Sequence, residues 1–159
     1  MKLARAIHLD DSDRNVYHAP ARTGEWCVSG GFEFSDWTQD DLAGKARQAF
    51  ANGWLGVETF GRVTFVAITR IEPSEFNMLA QRLAAHFVDY YGAPAIEAAL
   101  PVARDELAFM AGLCEEHDDN ALLTVLRELD ADGVRESYRV IEVPAAELDL
   151  VAMHGHMEP

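Results

Sequence analysis

The chain has 159 residues, of which 49% are hydrophobic and 25% are charged. This length supports a single domain whose core needs no disulfide or metal, and the composition excludes a disordered chain. The formal net charge of −14 opposes binding to nucleic acid and to anionic membrane surfaces. An acidic surface of this kind serves solubility, or it attracts a basic partner.

The two cysteines and the amino terminus indicate the expected cellular setting. Cys27 and Cys114 are too few for a disulfide framework and lack zinc-site spacing, so we predict two buried thiols in a reducing compartment. No apolar run of signal-peptide length precedes Asp10, and no uncharged run approaches the roughly 18 residues of a membrane span. The sequence therefore predicts a cytoplasmic protein without a membrane segment.

Short strands are predicted in the first 30 residues. Residues 2–9 alternate loosely in polarity, and a polar turn follows at 10–13. Val16–His18 and Glu25–Val28 are the next two candidate strands.

A helix is predicted from Thr38, which is placed as its N-cap with Asp41 three residues later. Asn52-Gly53 is predicted to end it in a left-handed conformation. Its apolar stripe consists of Leu42, Ala46, Ala49 and Phe50.

Two β-prone runs, Trp54–Phe60 and Arg62–Ile71, flank Gly61 and predict an antiparallel hairpin. Apolar residues occupy both faces of the second run, which is typical of a strand in the interior of a sheet.

The clearest helix in the sequence begins at Pro73 and ends before Gly92. A third helical region spans Ala95–His117, in which Pro101 is predicted to open a fresh helix. The predicted apolar stripe of the first of these helices is Phe76, Leu79, Leu83, Phe87 and Tyr90.

A second antiparallel hairpin is predicted from Leu122–Leu129 and Val134–Val143, which flank the turn sequence Asp130–Gly133. A short helix over Pro144–Met153 would follow. The fold class is therefore α+β, an antiparallel sheet built from hairpins with two or three helices packed on it. We expect one domain over residues 1–153 and a frayed tail over 154–159.

No pattern in the sequence assigns a catalytic residue or a cofactor. The phosphate-loop and nucleophile-elbow motifs are missing from it. His117, in an acidic run at the end of a helix, and the tail pair His154 and His156 are the candidate metal ligands, but residues in such polar ends are usually just solvated, and that is the favoured interpretation. His86 is interpreted as a boundary histidine bonded to a neighbour. We predict no cofactor and no metal.

Aromatic residues cluster around a glycine pair between the third strand and the first helix. They could line a ligand pocket or an interface, or they could pack a long connection onto the core. The candidate ligand-binding or partner-binding residues are Trp26, Phe32, Phe34 and Trp37.

Four segments give the chain a family resemblance: KLARAIHLD, GEWCVSGGF, AFANGWLGVETFGRVTFVAI and the closing hairpin. Together they resemble a family of small bacterial proteins of unknown function. The resemblance implies no activity and carries no site residue. It does imply a place near genes for the assembly of redox enzymes, and hence an accessory role.

The leading hypothesis is a non-catalytic, cytoplasmic accessory domain that binds a protein partner or itself. A homodimer is predicted, with Trp26, Phe34 or Trp37 in the contact. The alternative is a small-ligand-binding protein or enzyme with a pocket near the Trp26–Trp37 loop. An exposed patch there would favour a partner, and an enclosed cavity would favour a ligand.

Overall fold

The computed structural model describes residues 1–9 and 12–141. Two 3₁₀ turns, Gly31–Phe34 and Gln39–Asp41, lie between the second strand and the second helix. The strands are β1 (Lys2–Ile7), β2 (Trp26–Val28), β3 (Trp54–Gly56), β4 (Arg62–Val63), β5 (Phe65–Arg70), β6 (Leu122–Asp130) and β7 (Gly133–Ile141). The helices are α1 (Ser12–Val16), α2 (Gly44–Asn52), α3 (Pro73–Tyr90) and α4 (Ile96–Glu115).

The seven strands form one sheet in the order β4-β3-β2-β1-β5-β6-β7, and neighbouring strands are antiparallel. The predicted α+β class is confirmed. Thr64 alone separates β4 from β5, although these strands are four places apart in the sheet. Four strand spacings of a flat sheet amount to about 19 Å, which one residue cannot span. The sheet therefore curls, bringing its β4 edge back toward β5.

This curl also explains how the first predicted hairpin differs from the structure. β3 pairs antiparallel with β4, with Trp54 opposite Val63, as predicted. The prediction of one continuous strand over Arg62–Ile71 was wrong, because the chain leaves the β4 edge at Thr64 and enters the interior of the sheet as β5. There β5 lies between β1 and β6, as its two apolar faces indicated.

The second hairpin is confirmed over its described residues. β6 and β7 pair along their full length, and Asp130 stands opposite Gly133. Gly133 has φ of +113°, a conformation that favours glycine. The Asp130 carboxylate accepts the backbone N–H of Asp132 at 2.9 Å and stabilises the turn.

Helix α3 begins and ends as predicted, and Gly92 after it has φ of +73°. Leu83 and Phe87 of its predicted stripe are buried, but Tyr90 is exposed, so the stripe ends one turn early. Helix α4 continues through Pro101, and the predicted fresh start there was wrong. One lost backbone hydrogen bond is outweighed by the buried face of α4, which packs on α3 and β1.

Three predictions for residues 16–53 need correction. Val16 ends the short helix α1, and no strand forms at Val16–His18. Helix α2 begins at Gly44, because Thr38 and Asp41 cap a 3₁₀ turn instead. Gly53 has φ of −90° rather than a left-handed conformation. A Cβ on Gly53 would lie 2.8 Å from the Ala49 carbonyl oxygen, so close packing explains the glycine.

The core lies between the sheet and the α3–α4 pair, while α2 packs against β6. No helix in the described part of the chain is both long and apolar enough to cross a membrane. The predicted helix at Pro144–Met153, the last two residues of the predicted hairpin and the predicted tail at 154–159 lie outside the described residues.

Candidate functional site: a groove along helix α3

A groove with a volume of about 590 Å³ runs between α3 and the segment that follows β3. Its α3 wall combines apolar and polar side chains, and Met78 there is 69% exposed. The residues that define the groove include Trp26, Val57, Glu58, Met78, Leu79 and Arg82.

Trp26 lines the groove at β2 and is held by polar contacts on two sides. Its Nε1–H donates to the Glu75 carboxylate of α3 at 3.4 Å. The Arg5 guanidinium lies 3.9 Å from its ring centroid, in cation–π geometry. The ring is 8% exposed, so Trp26 contributes a fixed surface rather than a mobile side chain.

The opposite wall is fixed by Glu25, whose carboxylate is buried next to Trp26. It accepts hydrogen bonds from the Thr59 hydroxyl at 2.7 Å and from the backbone N–H groups of Thr59 at 3.0 Å and Glu58 at 3.1 Å. The Arg22 backbone N–H donates to it as well, at 2.5 Å. A Cβ at position 56 would meet Glu25 Oε1 at 2.0 Å, which requires Gly56. These bonds hold residues 57–59 along α3.

His86 does not line the groove, but it shares the helix face of Glu75, Leu79 and Arg82, from which it is 11, 7 and 4 residues away. The Phe60 ring stacks flat on the imidazole, with centroids 3.8 Å apart and planes 3° apart. Phe60 has φ of +57°, an outlying conformation for an aromatic residue. A strained backbone thus holds Phe60 over His86.

His86 has an unpaired polar atom. Its side chain is 10% exposed, and its buried Nε2 has no hydrogen-bond partner among the described residues. Glu33 Oε1 is nearest, but 4.0 Å is beyond hydrogen-bond distance. Burial lowers the pKa of His86 below its ordinary value of 6.5, although Glu33 and Asp89 oppose the shift. The imidazole is therefore neutral near pH 7.

Two tyrosines at the end of α3 complete this aromatic group, which we call the His86 cluster: Glu33, Phe60, His86, Tyr90 and Tyr91. The Tyr90 and Tyr91 rings lie 5.0 and 5.6 Å from the imidazole. Burial, reinforced by Glu33, raises the pKa of Tyr91 to about 12. The second oxygen of Glu33 pairs with Arg62 at 2.9 Å, so one carboxylate oxygen remains directed at His86.

A second polar group, the Arg127 cluster, lies in the core and consists of Ser29, Arg62, Arg127, Glu136 and Tyr138. Arg127 donates to the carbonyl oxygens of Phe50 at 2.9 Å and Gly53 at 2.8 Å, and to Glu136 at 2.6 Å. Arg62 donates to the carbonyl oxygens of Gly53 at 3.0 Å and Gly30 at 3.1 Å. The two guanidinium groups thus donate hydrogen bonds to backbone carbonyls at the end of α2 and in the loop at Gly30.

The charges of this cluster compensate one another. Burial lowers the pKa of Arg127. Burial alone would raise the pKa of Glu136, but Arg127 and the hydroxyls of Ser29 and Tyr138 bring it below its ordinary value. Ser29 donates to Glu136 at 2.6 Å and Tyr138 donates at 2.8 Å. This network is saturated and has a structural role.

His8 and Asp13 form a pair that resembles a catalytic dyad but is closed at both ends. His8 Nδ1 lies 2.5 Å from Asp13, and Nε2 lies 2.8 Å from the carbonyl oxygen of Ala21. Both partners are acceptors, so both nitrogens donate and the ring is cationic. The bond to Asp13 raises the pKa of His8, although burial opposes it. Asp13 also accepts from Thr64 at 3.1 Å, which ties α1 to the β4–β5 junction.

The four aromatic residues selected from the sequence lie in three places. Trp26 lines the groove, and Phe32 packs edge-on against Phe87 and Tyr91. Phe34 and Trp37 contact each other and Phe50 beside α2. Phe34 is 2% exposed and lies in the core, so any surface role falls to Trp37.

The predicted metal ligands gain no metal-binding geometry in the described structure. The His117 carbonyl accepts a hydrogen bond from Lys2 Nζ at 2.8 Å. Residues 1–9 and 12–141 contain no group of three or more histidine, cysteine or acidic side chains placed to hold a metal. His154 and His156 lie outside these ranges. Cys27 and Cys114 are free and buried as predicted, and burial raises the pKa of both thiols, that of Cys114 to about 12.

Sequence reasoning missed the His86 cluster. The interpretation of His86 as bonded to a neighbour was wrong for Nε2, because the Glu33 carboxylate stops 4.0 Å away. Its spacing from Leu79 and Arg82 did place it on the groove face. Nothing local to Phe60 or Glu33 indicates that they meet His86, since all three are far apart in the chain.

A family model of unknown function (DUF6505) matches residues 1–159. The chain belongs to this family. No curated protein and no solved structure matches the chain. The family carries no assigned activity, so the geometry of the groove and of the two clusters supplies the functional argument.

Proposed function

We propose that this chain is a non-catalytic accessory domain that binds a segment of a protein partner in the groove along α3. The observation that carries the proposal is the groove itself, in which a fixed tryptophan and an exposed methionine line one open channel. Tryptophan is favoured at binding hot spots, and methionine adapts to varied partners.

The groove fits a polypeptide better than a small molecule. Small-ligand sites enclose most of the ligand and direct a few polar groups at it. Here Met78 is largely exposed, while Glu75 accepts from Trp26 and Glu58 pairs with Arg22 at 3.1 Å. The channel is open, and its carboxylates already interact with other residues of the fold. These two features favour a polypeptide segment of a partner that binds along α3.

Outside the His86 cluster, the chemistry of the polar groups supports a non-catalytic role. A general base needs a nitrogen free to take a proton from a substrate, but both His8 nitrogens are bonded within the fold. A nucleophilic cysteine needs a lowered pKa, whereas burial raises the pKa of both thiols. Arg127 and Glu136 are used to hold the core together.

The resemblance stated above makes redox-enzyme assembly the setting for this role, with a subunit or maturation factor of such an enzyme as the partner in the cytoplasm. A homodimer is the accompanying proposal. Trp37 and the β7 edge, which has no second strand partner among residues 1–9 and 12–141, are its surfaces, because such an edge commonly associates. Light scattering on untagged protein should give twice the mass of 17.6 kDa, and a monomer mass independent of concentration would rule it out.

Site-specific photocrosslinking tests the groove. A crosslinking amino acid at Met78 should capture one protein partner in the native host, and the same group at Val102, an exposed position on α4, should not. Mass spectrometry identifies the adduct. Equal capture from both positions, or a small molecule that copurifies in stoichiometric amount and is displaced by Trp26→Ala, would contradict the proposal and favour the ligand alternative.

A further inference from the structure

The His86 cluster contains a buried ring nitrogen that has no hydrogen-bond partner among the described residues. Buried polar atoms in folded proteins are nearly always hydrogen-bonded, so each exception calls for an explanation. His86 Nε2 is buried and has no partner within the described residues, and Glu33 Oε1 faces it from 4.0 Å. In its Nδ1–H tautomer the neutral imidazole presents Nε2 as an acceptor across the gap to Glu33 Oε1, and no donor among the described residues is bonded to it.

The surroundings of this gap favour a cation. The faces of Phe60, Tyr90 and Tyr91 carry negative π density, which attracts guanidinium and ammonium groups. The carboxyl end of α3 adds the negative end of its helix dipole. Asp89 also contributes, since its charge acts on His86.

One charge opposes a cation in this cluster. Arg62 pairs with the other oxygen of Glu33 at 2.9 Å and neutralises part of its charge. The Arg62 guanidinium is held by carbonyl oxygens in the core, so it does not compete for the gap. Glu33 Oε1 still faces the gap, and the Tyr91 side chain also interacts with the Glu33 carboxylate. Asp89 and the helix dipole supply the remaining negative field.

We propose that the His86 cluster binds an arginine side chain of the partner segment that lies in the α3 groove. The inference rests on the proposed function and specifies the chemistry of the partner. One guanidinium nitrogen between acceptors 4.0 Å apart lies within hydrogen-bond distance of both Glu33 Oε1 and His86 Nε2. The planar group then stacks on the tyrosine rings, as guanidinium groups do on aromatic faces.

Tyr90 lies beside the imidazole, with ring centroids 5.0 Å apart. This side chain is 74% exposed, so it can rotate without disturbing the core. Phe60 stays stacked on the imidazole and fixes the ring. The arginine enters at the His86 end of the helix face that also carries Glu75, which places the rest of the partner segment along α3.

A titration with model compounds tests the site. The probe is N-acetyl-arginine amide, and the matched controls are the neutral isostere N-acetyl-citrulline amide and N-acetyl-lysine amide. NMR follows the ring signals of Phe60, His86, Tyr90 and Tyr91. The arginine compound should shift these signals, the citrulline compound should not, and the lysine compound should bind more weakly.

Two variants and a control locate the binding. Tyr90→Ala should weaken binding of the arginine compound by about two- to five-fold, the range expected for one exposed cation–π contact. His86→Phe keeps a stacked ring but removes the acceptor, and it should weaken binding further. Phe109→Ala, at an exposed aromatic position on α4, should leave binding unchanged.

The outcomes separate this inference from the proposed function. No shift, an equal response to citrulline or lysine, or unchanged binding by both variants would overturn the arginine site. A captured partner at Met78 together with no arginine response would remove only this site. An arginine response without any partner captured at Met78 would remove only the proposed function.

Discussion

The Arg127 and His86 clusters both bury polar groups, but they differ in how completely those groups are hydrogen-bonded. Arg127 donates to four backbone carbonyls and a carboxylate, and Glu136 accepts from three residues. His86 Nε2 has no partner among the described residues and sits under a strained Phe60. A saturated network stabilises the fold, whereas an unused acceptor beside exposed aromatic rings is available to another molecule.

Removing the Arg127 guanidinium should have the largest effect on stability. Arg127→Met would leave the half-buried Glu136 carboxylate without its cationic partner and the Phe50 carbonyl without its donor, whereas the Gly53 carbonyl keeps its bond from Arg62. Breaking a buried ion pair in this way costs about 3–5 kcal/mol in the free energy of unfolding. Chemical denaturation measures the loss. The matched control is Arg135→Met on the exposed face of β7, for which we expect a change within about 0.5 kcal/mol. Similar losses for both variants would mean that the Arg127 network is not structural.

Leu83→Ala should have the second-largest effect on stability. Together with a variant on the groove face, it compares the two faces of α3. Leu83 is fully buried in the core, and truncation of a buried leucine costs about 2–5 kcal/mol. Met78→Ala on the groove face is the control and should cost little, because its side chain is already in water. Chemical denaturation decides between the two faces. A loss below about 1 kcal/mol for Leu83→Ala would place the core face of α3 elsewhere.

The parts of the structure that the sequence could predict are those that depend on local signals. Helix α3 and the β6–β7 hairpin depend on local signals, namely Pro73, Gly92 and the Asp130–Gly133 turn, and both were predicted correctly. The break at Thr64 depends on the curl of the whole sheet, which no local pattern encodes. Periodicity favoured a continuous strand because Val63 and Phe65 alternate correctly on either side of the break.

The candidate site was predictable only in part. Trp26 was selected as an aromatic near a glycine pair, and it does line the groove. Phe34 was selected by the same rule but fills the core. Arginines are mostly exposed in proteins, so burial of Arg62 and Arg127 depends on carbonyls that only the folded chain brings together. The stacking of Phe60 on His86 joins two segments 26 residues apart and has no sequence signature.

His8 should make the free energy of unfolding decrease as the pH rises. Its pKa is raised in the folded state, chiefly by the bond to Asp13. Its contribution is therefore complete below its ordinary value of 6.5 and is lost as the pH rises through the folded pKa. We expect on the order of 1 kcal/mol for this charge-assisted bond. Denaturation of the native protein and His8→Gln across pH 5–9 measures it.

The difference between these two proteins should shrink as the pH rises. Asn15→Gln, at an exposed position of α1 that carries no titratable group, is the control and should show no such trend. If the difference in the free energy of unfolding between native protein and His8→Gln stayed constant with pH, His8 would not be cationic. The His8–Asp13 pair would then again be a candidate proton acceptor.

His86 should make stability depend on pH in the opposite direction, and this effect should be the smallest of those predicted. It compares the unpaired His86 directly with the fully hydrogen-bonded His8. Burial lowers the pKa of His86 in the folded state, so the unfolded chain binds the proton more readily. Its contribution to stability is complete above its ordinary value of 6.5 and is lost as the pH falls through the folded pKa. His86→Phe keeps the stacked ring and cannot titrate. We therefore expect the variant to match the native protein near pH 8 and to exceed it near pH 5, by less than about 1 kcal/mol because water reaches part of the site. If the two proteins keep a constant difference in free energy of unfolding over this range, the imidazole is solvated in the folded state and the unused acceptor does not exist.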